Sequence, residues 1–174
     1  VFPTITDNLE EKIGSGELDI GEMYGESGLN NCMDMRGTKY SYKKKIEDKY
    51  EAIFDKDNIS NYSSKLSSII HLLDKSEGII FIYTDYVKAG IIPLQLLLEQ
   101  NGYKKHGGNG ILRYPEWNRS AEIGKTKREP ISFDGLRKTA AGSNFQQAKY
   151  MVIHGSTSKS LLEEQLKLVN SKAN

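Results

Sequence analysis

The sequence predicts an α/β protein with an incomplete parallel sheet. A short apolar run followed by a polar turn and an apolar-faced helix occurs at residues 79–99, and the same order returns at residues 150–169. Alternation of strand and helix in this order is typical of parallel sheets joined by right-handed crossovers. Only two such strands are visible, whereas parallel sheets normally have more members and are covered on both faces. We therefore expect an unfinished sheet, and a chain cut from a longer protein.

The first unit follows a predicted amphipathic helix over residues 63–76. The apolar positions of this helix recur at the helical period, and Gly78 supplies a stop. These positions are Leu66, Ile69, Ile70 and Leu73. The next five residues, Ile79-Ile80-Phe81-Ile82-Tyr83, are apolar without alternation. Such a run predicts a strand that is buried on both faces.

The helix of the first unit is predicted over residues 91–99. Pro93 is tolerated there because it falls in the first turn, and Asn101-Gly102 supplies the end. The apolar side of this helix is expected to pack on the sheet.

The second unit consists of a strand over residues 150–153, a polar turn over residues 154–158 and a helix over residues 161–169. The inner face of the helix is predicted to carry Leu162, Leu166 and Val169. Two serines can serve as its N-cap. Ser160 has Glu163 three residues later, as in a capping box, and Ser158 fits equally well.

Charge is unevenly distributed, although 24 Lys and Arg residues nearly balance 23 Asp and Glu residues. Residues 1–35 carry eight acidic side chains and one basic one, a net charge of −7, with no sustained apolar period. Residues 101–150 carry ten basic and four acidic side chains, a net charge of +6. We divide the chain into an acidic, loop-rich lead-in with short helices at 1–62 and a partial α/β lobe at 63–174, with a basic insertion at 104–148.

Several classes of protein are excluded by composition. Cys32 is the single cysteine, so there is no internal disulfide framework and no cysteine-rich zinc site. No apolar run reaches the roughly 18–20 residues of a membrane span, and no signal-peptide pattern opens the chain. We expect an intracellular protein that is not secreted and has no membrane partner.

No catalytic or metal-binding residue is predicted. The three histidines, His71, His106 and His154, are scattered, and none has a partner at a useful spacing. His154 is interpreted as a structural residue. Neither a G-x-x-x-x-G-K-[ST] phosphate loop nor a G-x-G-x-x-G motif occurs, so the chain alone is expected to bind no ATP and to need no cofactor.

Two polar turns are candidate anion sites. Ligands of open parallel sheets meet the carboxyl ends of strands and the amino ends of the following helices, where free N–H groups favour anions. Thr84-Asp85 occupies such a position, and so does the turn with Gly155, Ser156 and Thr157. The glycine allows close backbone approach, and the hydroxyls can donate to a phosphate oxygen. The serines of the second turn can equally serve as helix caps only.

The basic insertion is a third candidate. Arg128, Arg137 and Lys138 could contact phosphates, and aromatic residues lie among the basic ones, which is a mixture suited to stacking on unpaired bases. These aromatic residues are Tyr103, Tyr114, Trp117 and Phe133. The alternative is a solvated loop that is anchored by Trp117.

The order of these segments resembles a known family. Four segments carry the resemblance: Ser63-Ser64-Lys65-Leu66, the run from Gly78 to Tyr83, Gly102-Tyr103, and Ile153-His154-Gly155-Ser156-Thr157 with Glu163-Glu164. Taken in this order, they resemble the start of the second RecA-like lobe of superfamily 2 helicases. Swi/Snf-type translocases match best within that superfamily. Residues 24–30 and 80–102 look closer still to helicases of nucleocytoplasmic large DNA viruses of the mimivirus and poxvirus type.

The resemblance implies a function. Thr84, Gly155, Ser156 and Thr157 would touch the sugar–phosphate backbone, of DNA rather than RNA, and the insertion would be a lineage-specific elaboration. Asp85 and His154 differ from the residues usual in the family, so the resemblance assigns no backbone contact to those two positions. The ATPase motifs of the family are absent, so ATP and Mg²⁺ belong to the full-length protein and no ATPase activity is expected here.

The resemblance also implies partners and a place. The partners are the missing first helicase lobe and viral transcription proteins, and the place is the host cytoplasm or the virion. A second interpretation is a non-catalytic interaction module of a viral transcription complex, in which the acidic and basic segments bind partners. A small α/β enzyme is disfavoured because no nucleophile, base and orienting group occur together.

Overall fold

The structure, a computed structural model, describes residues 12, 14–17, 19–113, 129–132 and 145–172. A 3₁₀ turn at Ile20–Met23 precedes α1 at Gly25–Cys32. Strands β1, Met33–Arg36, and β2, Lys39–Tyr42, then form an antiparallel hairpin that leads into α2, Lys44–Tyr50.

The second half of the described chain is mainly helical. After a 3₁₀ turn at Ile59–Asn61 comes α3, Ser64–Leu73, and a π-helical turn at Val87–Ile91 runs into α4, Ile92–Gln100. Strands β3, Lys104–Lys105, and β4, Lys149–Tyr150, pair in parallel, and α5 spans Lys159–Lys172. The described architecture is therefore mixed α/β with two short two-stranded sheets.

The helices follow the local sequence signals. The Ser63 hydroxyl accepts a hydrogen bond from the Leu66 amide and caps α3, and Pro93 lies in the first turn of α4 as predicted. Gly102, with φ of 97°, follows α4 in a conformation that favours glycine. The predicted helices over 63–76, 91–99 and 161–169 are thus confirmed, although α3 ends at Leu73, before the predicted Gly78 stop.

The predicted strand at residues 79–83 is wrong. These five residues are not assigned to a strand, all five side chains are exposed, and Phe81 and Tyr83 are 80% and 86% exposed. Within the described part of the chain, their backbone groups make no backbone hydrogen bond. A strand buried on both faces needs neighbouring strands, and no described strand pairs with this run.

The predicted strand at residues 150–153 is confirmed only at its first residue. The amide of Lys104 donates to the Ala148 carbonyl and the amide of His106 to the Tyr150 carbonyl, but residues 151–153 are outside any strand. The predicted inner face of the last helix is also partly wrong. Leu166 is 45% exposed, whereas the neighbouring Gln165 is buried, so the inward face of the helix includes a polar residue.

The hydrophobic core contains residues from both predicted parts of the chain, 1–62 and 63–174. Its fully buried members include Tyr42, Phe54, Ile70 and Leu97. The boundary between the lead-in and the lobe stays a prediction, but the residues that pack together come from both.

Two polar side chains hold α4 in this core. Asn101 donates to the carbonyls of Phe54 and Leu97, and its oxygen accepts from the Lys56 amide. Two residues earlier, in the last turn of α4, Glu99 accepts from two loop amides, those of Ile111 and Leu112, and from the Tyr150 hydroxyl. These bonds connect α4 to the segment after α2, to the loop at residues 111–112 and to β4, so α4 is the central element of the described fold.

Candidate nucleic-acid interface

A cleft lies at the turn that contains Thr84. Its volume is about 170 Å³, and it is enclosed by the start of α3, residues 82–84, the π-helical turn with the start of α4, and residues 24–25 at the start of α1. Four tyrosines line it: Tyr24, Tyr62, Tyr83 and Tyr86. Ser63, Lys65 and Thr84 add polar groups to the same cleft. A predicted backbone-contact residue, Thr84, is thus part of a concave, mainly apolar site.

The position of Thr84 depends on Gly90. A β-carbon built on Gly90 would lie 2.3 Å from the Thr84 hydroxyl oxygen, so a larger residue at 90 would displace the threonine. The same oxygen accepts a hydrogen bond from the Tyr86 amide at 3.4 Å. Because the Thr84 oxygen is the acceptor in this bond, its O–H group can still donate to a ligand.

The Asp85 carboxylate accepts a hydrogen bond from Tyr83 in the same turn. The Tyr83 hydroxyl donates to the Asp85 carboxylate at 2.5 Å, and this bond raises the pKa of Tyr83 above its ordinary value. The Asp85 carboxylate therefore has a partner within the turn, and Asp85 is not among the residues that line the cleft.

The two lysines beside the cleft differ in their partners. Lys88 forms an ion pair with Glu26 of α1, and the hydrogen bond to this carboxylate raises the pKa of Lys88. Lys65, in the first turn of α3, is exposed and makes no ion pair with any described residue. Lys65 is therefore the cation at the cleft whose charge is not already balanced by a described carboxylate.

The second predicted turn is held by its own hydrogen bonds. The His154 amide donates to the Thr157 hydroxyl at 3.0 Å, the Thr157 amide donates to the His154 carbonyl at 2.8 Å, and the Ser156 amide donates to Nδ1 of His154 at 3.3 Å. The Ser156 hydroxyl lies 2.8 Å from the same nitrogen. His154 therefore shapes the turn, and His154, Gly155 and Ser156 are all exposed.

Ser158, rather than Ser160, caps α5. The Ser158 hydroxyl accepts from the Leu161 amide at 3.4 Å, and its carbonyl accepts from the Leu162 amide at 2.9 Å. Because capping is performed by Ser158, the hydroxyls of Ser156 and Thr157 are not needed to begin the helix. Lys159 is exposed in the first turn of α5 and makes no ion pair with the described residues.

The two turns are separate in the described structure. No hydrogen bond joins Thr84 to residues 154–157, and none of those four residues lines the cleft. The third group of predicted contacts, Arg128, Arg137 and Lys138, lies outside the described residues, as do Tyr114, Trp117 and Phe133. Tyr103 is described and packs against the core.

The tyrosines of the cleft were missed by sequence reasoning. Tyr24 lies some sixty positions before Thr84 in the chain, and no spacing rule connects two such residues. Lys65 belongs to a stretch that the resemblance includes, but its charge became relevant only when α3 was placed beside residues 82–84.

Comparison of the chain with protein-family models, with curated proteins and with solved structures finds no match. The helicase resemblance therefore stays a prediction, and the mixed α/β architecture is what the structure establishes. Among the described residues, no group of three or more His, Cys, Asp or Glu side chains is arranged to hold a metal ion. No described helix is long and apolar enough to cross a membrane.

Proposed function

We propose that this chain is part of the second RecA-like lobe of a viral, ATP-dependent, superfamily 2 helicase or translocase, and that it holds the sugar–phosphate backbone of DNA. The observation that carries the proposal is a pair of hydroxyl-bearing turns, one before α4 and one before α5. Each turn has a nearby lysine without an ion pair to a described residue, Lys65 in one case and Lys159 in the other.

The chemistry of both turns suits phosphate oxygens. Hydroxyl and lysine donors bind phosphates without reading base sequence, as expected of a protein that moves along a strand. Lys159 supports this interpretation, because a cation in the first turn of a helix is disfavoured by the helix dipole. A phosphate bound at this end would offset that unfavourable interaction.

The role of the chain is mechanical rather than chemical. ATP and Mg²⁺ would be bound by other parts of the full-length protein, where they supply the free energy that opens and closes the two lobes. We expect no steady release of phosphate from ATP by these 174 residues. Phosphate release that survives purification and follows the protein concentration would contradict this part of the proposal.

The test of backbone binding uses fluorescence anisotropy of end-labelled single- and double-stranded DNA and RNA. Thr84→Val and Ser156→Ala each remove a hydroxyl with little change of shape, and we expect each to weaken DNA binding by about tenfold, the order of a hydrogen bond to a charged group. Thr38→Val and Ser68→Ala are matched controls, because both residues are exposed and lie outside the two turns. Equal affinity of all four variants would overturn the assignment of these turns.

The salt dependence gives an independent measurement. Lys159→Gln should lower the slope of log affinity against log salt by about one, because one phosphate contact is lost. Lys75→Gln, at an exposed position after α3, should leave the slope unchanged. A slope that is the same for both variants would remove Lys159 from the interface.

A second candidate function is a non-catalytic interaction module. One observation favours it: residues 79–83 form a continuous exposed apolar run, and exposed apolar patches often mark protein–protein contacts. The triple variant of Arg128, Arg137 and Lys138 to Gln separates the two candidates, because it leaves β3 and the Ile111 and Leu112 amides in place. Loss of DNA binding by this variant, together with full binding by Thr84→Val and Ser156→Ala, would favour the module.

A further inference from the structure

We propose that the tyrosine-lined cleft beside Thr84 receives one unpaired base of a single-stranded nucleic acid. This inference rests on the proposed function, which it deepens by giving the Thr84 turn a preference for unpaired strands. It is carried by the size of the cleft, by its exposed aromatic rings and by the position of the Lys65 cation.

The size of the cleft limits the ligand. At about 170 Å³, the cleft is smaller than the roughly 300–1000 Å³ of pockets that hold whole small molecules or cofactors. It has room for one planar ring system, with the rest of the ligand in solvent. A base that is attached to a strand satisfies this condition, because its sugar and phosphates remain outside.

The rings of the cleft are available for stacking. Tyr24, Tyr83 and Tyr86 line the cleft and are 50%, 86% and 69% exposed. Exposed aromatic rings gathered around one concavity are the groups on which unpaired bases stack, and such stacking is tolerant of sequence. Bases in a duplex already stack on each other, so the cleft should discriminate against paired strands.

Polar groups of the same cleft suit the backbone that would accompany the base. Lys65 and Thr84 are both lining residues, and they provide a cation and a hydroxyl donor next to the rings. The neighbouring Lys88 is already paired with Glu26, which leaves Lys65 as the charge that a phosphate would meet. A planar ring joined to an anion is the chemistry of a nucleotide unit in a strand.

The experiment compares a labelled oligothymidylate with an abasic strand of the same length and phosphate number, again by fluorescence anisotropy at fixed salt. The variants are Tyr86→Ala, Tyr86→Phe and the matched control Phe81→Ala. Phe81 is an exposed aromatic residue of the same segment that does not line the cleft. Circular dichroism verifies that each variant is folded, which is expected because both side chains are exposed.

We expect the natural sequence to bind the oligothymidylate about five- to a hundredfold more tightly than the abasic strand, the range of stacking on one base. Tyr86→Ala should reduce this preference, whereas Tyr86→Phe, which retains the ring, and Phe81→Ala should preserve it. Equal binding of the two strands, with the salt dependence intact, would overturn the base cleft and leave the backbone proposal standing. Failure to bind either strand at any salt concentration would overturn the proposed function and the cleft's ligand with it.

Discussion

The two regions that the sequence predicts as strand-and-helix units, residues 79–103 and 149–172, differ in which of their two segments is buried. In the first region the apolar run at 79–83 is exposed, while α4 is embedded in the core, with Leu96 and Leu97 fully buried. In the second region Tyr150 is buried and paired with β3, while α5 exposes Leu161 and Leu166. Each region therefore has one packed element and one with unsatisfied apolar surface.

The difference shows what holds each helix. The Asn101 side chain connects the end of α4 to Phe54, after α2. The Glu99 side chain connects α4 to Leu112 and to Tyr150 of β4. At the start of α5, by contrast, the Leu161 and Leu162 amides donate to the hydroxyl and the carbonyl of the neighbouring Ser158. Both the polar contacts to other elements and a higher apolar content therefore distinguish α4 from α5, and variants can test the difference in burial directly.

The largest expected effect is at Leu97. Leu97→Ala removes a fully buried side chain, and we expect the free energy of unfolding to fall by about 2–5 kcal/mol. The matched variant Leu161→Ala removes the same atoms from a side chain that is 43% exposed, and we expect a loss of about 0.5 kcal/mol or less. Urea unfolding measures both, and equal losses would show that α5 is packed as deeply as α4.

Next in size is the effect at Asn101. Asn101→Ala breaks three hydrogen bonds, to the Phe54 carbonyl, the Leu97 carbonyl and the Lys56 amide, inside the core. We expect a loss of roughly 2–4 kcal/mol of unfolding free energy, because buried polar groups lose their partner. The control Asn109→Ala changes an exposed asparagine and should have little effect. Comparable losses in the two variants would contradict this description of α4.

Alkaline pH should weaken the core to which both regions contribute. Burial raises the pKa of the Cys32 thiol from 9.0 to about 12, and burial with the Glu99 hydrogen bond raises the pKa of the Tyr150 hydroxyl above its ordinary 10.0. Both groups remain neutral in the folded state at pH values where they ionise in the unfolded chain. Their contribution to stability is therefore complete below about pH 9 and is lost as the pH rises toward 12.

We expect the free energy of unfolding to fall by up to about 1.4 kcal/mol per pH unit for each group that ionises only in the unfolded chain. Urea unfolding at pH 7, 9 and 10.5 measures it. Cys32→Ala lowers stability at every pH but should reduce the slope. An unfolding free energy that is constant from pH 7 to 10.5 would contradict the burial of these two groups.

The smallest effect concerns the start of α5. Ser158→Ala removes the hydroxyl that accepts from the Leu161 amide, and we expect a loss of about 1 kcal/mol, as for other N-caps. Ser160→Ala should have almost no effect, because Ser160 does not cap the helix. Urea unfolding of the two variants compares them, and the opposite order would restore Ser160 with Glu163 as the capping box.

Local patterns were sufficient for α3, α4 and α5, but they did not locate α1, α2 or the strands. The helical periods of α3 and α4, with Ser63, Pro93 and Gly102 at their ends, are properties of neighbouring residues. The β1–β2 hairpin was missed although Gly37 and Thr38 lie between two short alternating segments, a recognisable hairpin signal. The tyrosine cleft could not be predicted, because it joins residues from four separate segments.

By itself, the sequence determined where α3, α4 and α5 lie and how charge is divided along the chain, because a helical period depends on near neighbours and charge on composition alone. Only the tertiary structure decided that residues 79–83 are exposed, that α5 turns Gln165 rather than Leu166 inward, and that Thr84 shares a cleft with Tyr24. A strand or a helix face is buried only when another element covers it, and an apolar pattern does not specify which element that is.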